Sequence, residues 1–147
     1  MKNLDRAATV ATEWIAKAEN DLLNAAHTLT LGARCPTDTV CFHAQQCAEK
    51  YLKALLTFRG TDFAKTHDLE AVAARLRNGR RPSLLADDLA RLTRYATVTR
   101  YPGAEDIGLG EARHALAAAR RIRKAVRAVL PKGLLRSSGG KRRRPKP

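Results

Sequence analysis

Residues 41–56 read Cys41-Phe42-His43-Ala44-Gln45-Gln46-Cys47-Ala48-Glu49-Lys50-Tyr51-Leu52-Lys53-Ala54-Leu55-Leu56, and their periodicity decides the fold class. Cys41, Ala44, Ala48, Tyr51, Leu52 and Leu55 recur at three- and four-residue steps, the mark of one apolar helix face. Thr37 or Asp38, following Pro36, supplies an N-cap, and Gly60 supplies a stop. The expected helix 2 therefore runs from about Thr37 to Phe58.

The same period governs the flanks. Ala11, Trp14, Ile15, Ala18, Leu22, Ala25 and Leu29 form one stripe, so helix 1 is expected from the first dozen residues to about Leu31, with Gly32 ending it. Beyond the loop from Gly60 to Lys65, Thr66 is a candidate cap for helix 3, whose apolar side is Leu69, Val72, Ala73 and Leu76. Asn78, Gly79 and Pro82 break the pattern. Ser83 is a candidate cap for helix 4, which carries Leu84, Leu85, Leu89, Leu92 and Tyr95 and approaches Tyr101. Helix 5 is expected from Leu109 or Glu111 to Leu130, with Ala112, Leu116, Ala119, Ile122, Val126 and Val129 inside. No stretch alternates with period two. Five helices with mostly short loops make an all-α, up-and-down bundle.

Composition bounds the rest. The chain has 147 residues, 44% hydrophobic, which favours one domain with a real core. No apolar run approaches the roughly 20 residues that span a bilayer, and Met1 to Arg6 lack the apolar segment of a signal peptide. Cys35, Cys41 and Cys47 are an odd number without a C-x-x-C pair, which suits reduced thiols and a cytoplasmic location. His43 and Cys47 share a helix face, but Cys41 lies off it and no fourth ligand follows. Buried thiols are expected there, and no metal or cofactor.

The net charge is +14. Half of it falls in residues 131–147, which hold Lys132, Arg136, Lys141, Arg142, Arg143, Arg144 and Lys146 and no acid. Proline, glycine and serine crowd the same segment. The expected division is a helical bundle over 1–130 and a basic, disordered tail over 131–147.

Three places carry polar groups in a pattern. On helix 2, Gln46, Lys50 and Lys53 are four and then three apart, and Glu49 and Lys53 form an i,i+4 pair. They make either a solvated face or a phosphate-binding surface with lysines as point charges. At the start of helix 3, Lys65 and His67 stand beside backbone donors that suit an anion, unless His67 and Asp68 themselves cap the helix. Near the end of helix 4, Arg100 is a phosphate ligand or a tie to a neighbour. A basic run on helix 5 places Arg120, Arg123, Lys124 and Arg127 together, as a surface for RNA or an acidic partner or as a solvated face.

Four segments, in this order, resemble the HEPN domain family (higher eukaryotes and prokaryotes nucleotide-binding). They are Trp14 followed by Ala18-Glu19-Asn20-Asp21-Leu22, the 41–56 block, Lys65-Thr66-His67-Asp68-Leu69, and Arg100-Tyr101-Pro102. The resemblance covers about residues 10–130. It implies a helical bundle that commonly forms a homodimer. For small stand-alone members it also implies pairing with a minimal nucleotidyltransferase as toxin and antitoxin. Catalytic members are metal-independent endoribonucleases in which an arginine precedes a histidine by four to six intervening residues. Here none of His27, His43, His67 and His114 has such an arginine; Arg59 and His67 are separated by seven residues.

The expected function is therefore binding of nucleotide, RNA or a nucleotidyltransferase partner through helices 2 and 3, on a surface of Gln46, Lys50, Lys53, Lys65, His67 and Arg100. The alternatives are a ribonuclease using His67 with Arg100 or Arg59, and a purely structural oligomerising bundle.

Overall fold

The computed structural model describes residues 2–77, 79–97, 102, 103 and 106–138. The helices are α1 (Lys2–Leu29), α2 (Thr37–Phe58), α3 (Leu69–Ala74), α4 (Ala86–Thr93), α5 (Leu109–Val129) and α6 (Lys132–Ser138). Short 3-10 turns cover Gly32–Arg34 and Arg94–Ala96. No strand occurs among the described residues.

Side-chain pairings give the helix directions. Trp14 of α1 lies near Lys53 late in α2, while Asp21 meets His43 and Lys50, so α1 and α2 are antiparallel. Arg127 late in α5 meets Tyr51, and Thr37 at the start of α2 donates to the Ile107 carbonyl just before α5, so α5 runs parallel to α2. The chain thus goes up through α1 and down through α2; α4 runs up against the descending α5, since Asp88 meets Arg121 and Tyr95 meets Glu111, and α3 lies antiparallel to α4, with Leu69 beside Thr93. Gly32 and Gly60 make the reversals around α2 with φ of 60° and 68°, a region that penalises a Cβ.

Apolar stripes build the core as the spacing predicts. Ile15, Tyr51, Leu52, Leu55, Leu56, Leu69, Leu92 and Ile122 are fully or almost fully enclosed. Alanines at 11, 18, 25, 44, 48, 112, 115, 118 and 119 are also buried, and their small size lets the long helices approach closely. Between elements, Arg121 donates from Nε and Nη2 to both oxygens of Asp88, tying α5 to α4. Thr93 Oγ1 accepts from Leu69 N–H and donates to the Leu89 carbonyl, tying α4 to α3.

The structure corrects several details. Of the caps the sequence offers for α3, Asp68 rather than Thr66 takes the role: its Oδ1 accepts from the N–H groups of Glu70 and Ala71, while Thr66 Oγ1 accepts from Asp68 N–H. Ser83 caps nothing, because residues 83–85 stay non-helical and α4 starts only at Ala86, after Leu85 in an extended conformation. Asp87 and Asp88 in its first turn complement the helix dipole instead. Residues 132–138, expected within a disordered tail, form α6, with Leu134 buried and Leu135 against the core. Two adjacent leucines provide enough apolar surface to dock one short helix, a signal that the basic composition around them obscured. Residues 139–147 and Tyr101 lie outside the described residues.

Candidate functional site

The polar positions of α2 do not form a solvated face. Gln45, Glu49 and Lys53, at successive four-residue steps, are all buried, with exposures of 0%, 4% and 8%. Burying a carboxylate and an ammonium costs several kcal/mol each unless both are paired and hydrogen-bonded (on the order of 3–5 kcal/mol when one partner is removed). The structure meets that requirement. Glu49 Oε1 accepts from Gln45 Nε2 at 3.1 Å and from His67 Nδ1 at 2.7 Å, and Oε2 accepts from Lys53 Nζ at 3.2 Å. Gln45 Nε2 also reaches the His67 carbonyl at 3.3 Å, and Gln45 Oε1 accepts from Gln46 Nε2 at 2.7 Å. Lys53 is covered by two rings, with Nζ 5.8 Å from the Trp14 centroid and 5.5 Å from that of Phe63. Trp14 and Phe63 meet edge to face at 6.4 Å.

The flank toward α1 repeats the theme. Asp21 sits in the apolar stripe of α1 between Ala18 and Ala25, and is itself buried. Its Oδ1 accepts from His43 Nδ1 at 2.8 Å and its Oδ2 from Lys50 Nζ at 2.5 Å. Two histidines are thus oriented through Nδ1 by buried carboxylates. They differ in access: the His67 side chain is 58% exposed, that of His43 26%. A carboxylate can only accept, so each bonded Nδ1 carries the proton. The other ring nitrogen of His67, on a side chain that is mostly exposed, is then an acceptor when the ring is neutral and a donor when it is protonated.

The residues singled out from sequence now separate. Gln46, Lys50, Lys53 and His67 come together around α2, and Lys65 is exposed two residues before His67. Lys50 and Lys53 are not free point charges, since Asp21 and Glu49 neutralise them. The backbone donors at the start of α3 are occupied by Asp68, which removes the expected anion site there. Arg59 does not join His67. Its guanidinium lies against Gly79 and donates from Nη2 to the Arg80 carbonyl. Burial holds its pKa below the usual arginine value. Arg100 lies outside the described residues.

Asp21, Gln45, His43, Trp14 and Phe63 were not among the expected binding residues. The sequence carries a signal for two of them. An acid in an alanine stripe marks Asp21, and the four-residue spacing of Gln45, Glu49 and Lys53 marks a ladder.

Several other ionisable groups are held inside the bundle. Burial, with nearby Glu111, pushes the Cys41 thiol up to about 12. Burial, with Glu19 and Asp21 nearby, does the same for Cys47. Both stay protonated and inert, and neither joins His43 in a ligand set. Among the described residues no group of three or more His, Cys, Asp or Glu is placed to hold a metal ion. Tyr51 donates to Glu19 Oε1, which also accepts from Arg123 Nε at 2.6 Å, and Arg127 Nη1 donates to the Tyr51 hydroxyl at 3.2 Å. Burial and the hydrogen bond to Glu19 raise the Tyr51 pKa above that of a free tyrosine.

The HEPN domain family model matches residues 11–129, which includes every element of this network. The chain belongs to the HEPN domain family. Solved structures agree. The HEPN chain is 31% identical to TT1696 from Thermus thermophilus, with a TM-score of 0.67, covering 82% of this chain and 98% of that one. It is 30% identical to ST0689, described as an archaeal HEPN homologue, with a TM-score of 0.58, covering 80% of this chain and 95% of that one. No curated protein matches it. No helix among the described residues of this HEPN domain is long and apolar enough to cross a membrane.

Proposed function

We propose that this HEPN domain binds a phosphate-bearing nucleotide or an RNA end on the outward side of α2 and residues 65–67. The observation that carries the reading is the pairing of a buried carboxylate, Glu49, with an exposed imidazole, His67, held at 2.7 Å. The carboxylate fixes the ring and leaves its other nitrogen for a ligand. Lys65 adds an exposed positive charge beside it, and Gln46 adds a half-buried amide. Lys50 and Lys53 act on the site indirectly, by pairing with Asp21 and Glu49 and holding them in place. The chain works, in this reading, as a homodimer in the cytoplasm and as one half of a toxin–antitoxin-type pair with a minimal nucleotidyltransferase. Family membership supports that context.

The test is calorimetric titration of the full chain with adenosine monophosphate and with a short RNA. Wild type binds, while His67→Ala and Lys65→Ala bind at least about tenfold more weakly, the loss of roughly one charge-assisted hydrogen bond. Equal affinity in all three proteins contradicts the reading.

A second reading, metal-independent RNA cleavage, is favoured by the same pair. A neutral His67 has an unprotonated second nitrogen, as a base for a ribose 2′-hydroxyl requires. Cleavage in the presence of EDTA that disappears in His67→Ala supports it, and cleavage unchanged in that variant excludes His67 as the base.

A further inference from the structure

We propose that α5 carries a docking stripe for the phosphate backbone of single-stranded nucleic acid, formed by Arg113, Arg120 and Lys124. This surface is separate from the nucleotide site on α2 and does not depend on it.

Half of the cations of α5 are already engaged. The sequence places Arg120, Arg123, Lys124 and Arg127 on one face, but the structure divides them. Arg123 and Arg127 turn inward to Glu19 and Tyr51. Arg121 is held by both oxygens of Asp88. The one acid of α5, Glu111, accepts from the Tyr95 hydroxyl at 2.6 Å. Arg113, Arg120 and Lys124 are exposed, and none is in an ion pair among the described residues.

Helix geometry aligns these three. Steps of seven and four residues return to within about 40° of one line along the helix, at roughly 10 Å and 6 Å of rise. A stacked strand advances about 3.4 Å per nucleotide, so the three cations match phosphates about three and then two nucleotides apart. The inner residues of α5 hold the stripe rigid, since Ala112, Ala115, Leu116, Ala119 and Ile122 are all buried in the core. Cations presented on a fixed line, without local counter-charge, release condensed ions from a polyanion without reading its bases. The stripe therefore takes RNA and DNA alike.

The experiment measures fluorescence anisotropy of labelled polyuridine and polythymidine oligonucleotides with the full chain across a salt series. Three proteins are compared: wild type, the triple variant Arg113→Gln, Arg120→Gln, Lys124→Gln, and a control triple variant Arg6→Gln, Arg34→Gln, Arg94→Gln with the same net charge, altered at exposed sites off the stripe. The slope of log affinity against log salt should shrink by about 2 in the stripe variant, three contacts at roughly 0.7 each. It should change by less than half as much in the control, and both oligonucleotides should behave alike. Adenosine monophosphate binding should be unchanged in the stripe variant, so failure of the α2 site and failure of the stripe are read separately. Equal slopes in the two triple variants overturn the proposal. So does polyglutamate competing as well as the oligonucleotides, which would make the stripe a surface for acidic protein.

Discussion

His67 Nδ1 lies 2.7 Å from Glu49 Oε1, and the carboxylate is almost sealed from water while the imidazole is mostly exposed. An ordinary surface histidine has no such anchor. The anchor comes from α2, through a ladder of Gln45, Glu49 and Lys53 that sets one side chain above the next. A residue on a loop is thereby held by the most deeply packed helix of the bundle.

Because Glu49 and Lys53 share a buried environment, removing one leaves the other uncompensated. Glu49→Leu should destabilise the protein by about 3–5 kcal/mol, whereas Glu49→Leu combined with Lys53→Met should recover most of that loss. Urea denaturation of the two variants checks this. Equal losses would mean that the Trp14 and Phe63 rings, rather than the carboxylate, sustain Lys53.

Acid sensitivity should depend on Glu19. Burial pushes its carboxyl up, but hydrogen bonds from Arg123 and Tyr51 and the charges of Arg123 and Arg127 outweigh burial, so its pKa lies below the ordinary value of 4.5. A carboxyl with a lower pKa in the folded state stabilises the fold fully above its unfolded pKa. That contribution is lost as the pH falls through the lower, folded value. Stability followed by denaturation from pH 7 downward should therefore decline below about 4.5 in wild type, and less steeply in Glu19→Gln.

Thiol reactivity should distinguish the cysteines. Cys41 and Cys47 are buried with thiols pushed to about 12, while Cys35 is half-buried. With an aromatic disulfide reagent at mildly alkaline pH, one thiol should react quickly and two only after denaturant is added. A Cys35→Ser variant should lose the fast phase.

The terminal helix should contribute to stability despite its basic setting. Leu134 is 8% exposed and belongs to the main core. Leu134→Ala should cost about 2 kcal/mol, the low end for a leucine truncated in a core. A thermal melt unchanged by the substitution would show α6 to be undocked.

The long elements were legible because each is long enough for its apolar period to repeat several times. The stripes of α1, α2 and α5 needed no tertiary information. The misreadings share a physical cause: they depend on what a residue meets across the fold. Thr66 and Asp68 are equally good caps by type, and only the backbone path decides that Asp68 reaches the free N–H groups. Lys50 looks like a solvated cation until Asp21, on another helix, is found beside it. Arg123 and Arg127 look like part of a basic face until Glu19, far earlier in the chain, claims both. Charge patterns locate polar side chains on a helix but do not say which are already neutralised.

The most direct test of the central claim, that Glu49 holds His67 so that its other nitrogen meets a phosphate, is a side-chain nitrogen spectrum of histidine-labelled protein titrated with adenosine monophosphate. The expected spectrum shows a His67 ring protonated at Nδ1 in the neutral form, and an Nε2 resonance that moves as nucleotide is added. In Glu49→Gln, the Nδ1 preference should weaken. A His67 ring protonated at Nε2 in the neutral form, or an Nε2 resonance unmoved while nucleotide binds elsewhere, would contradict it.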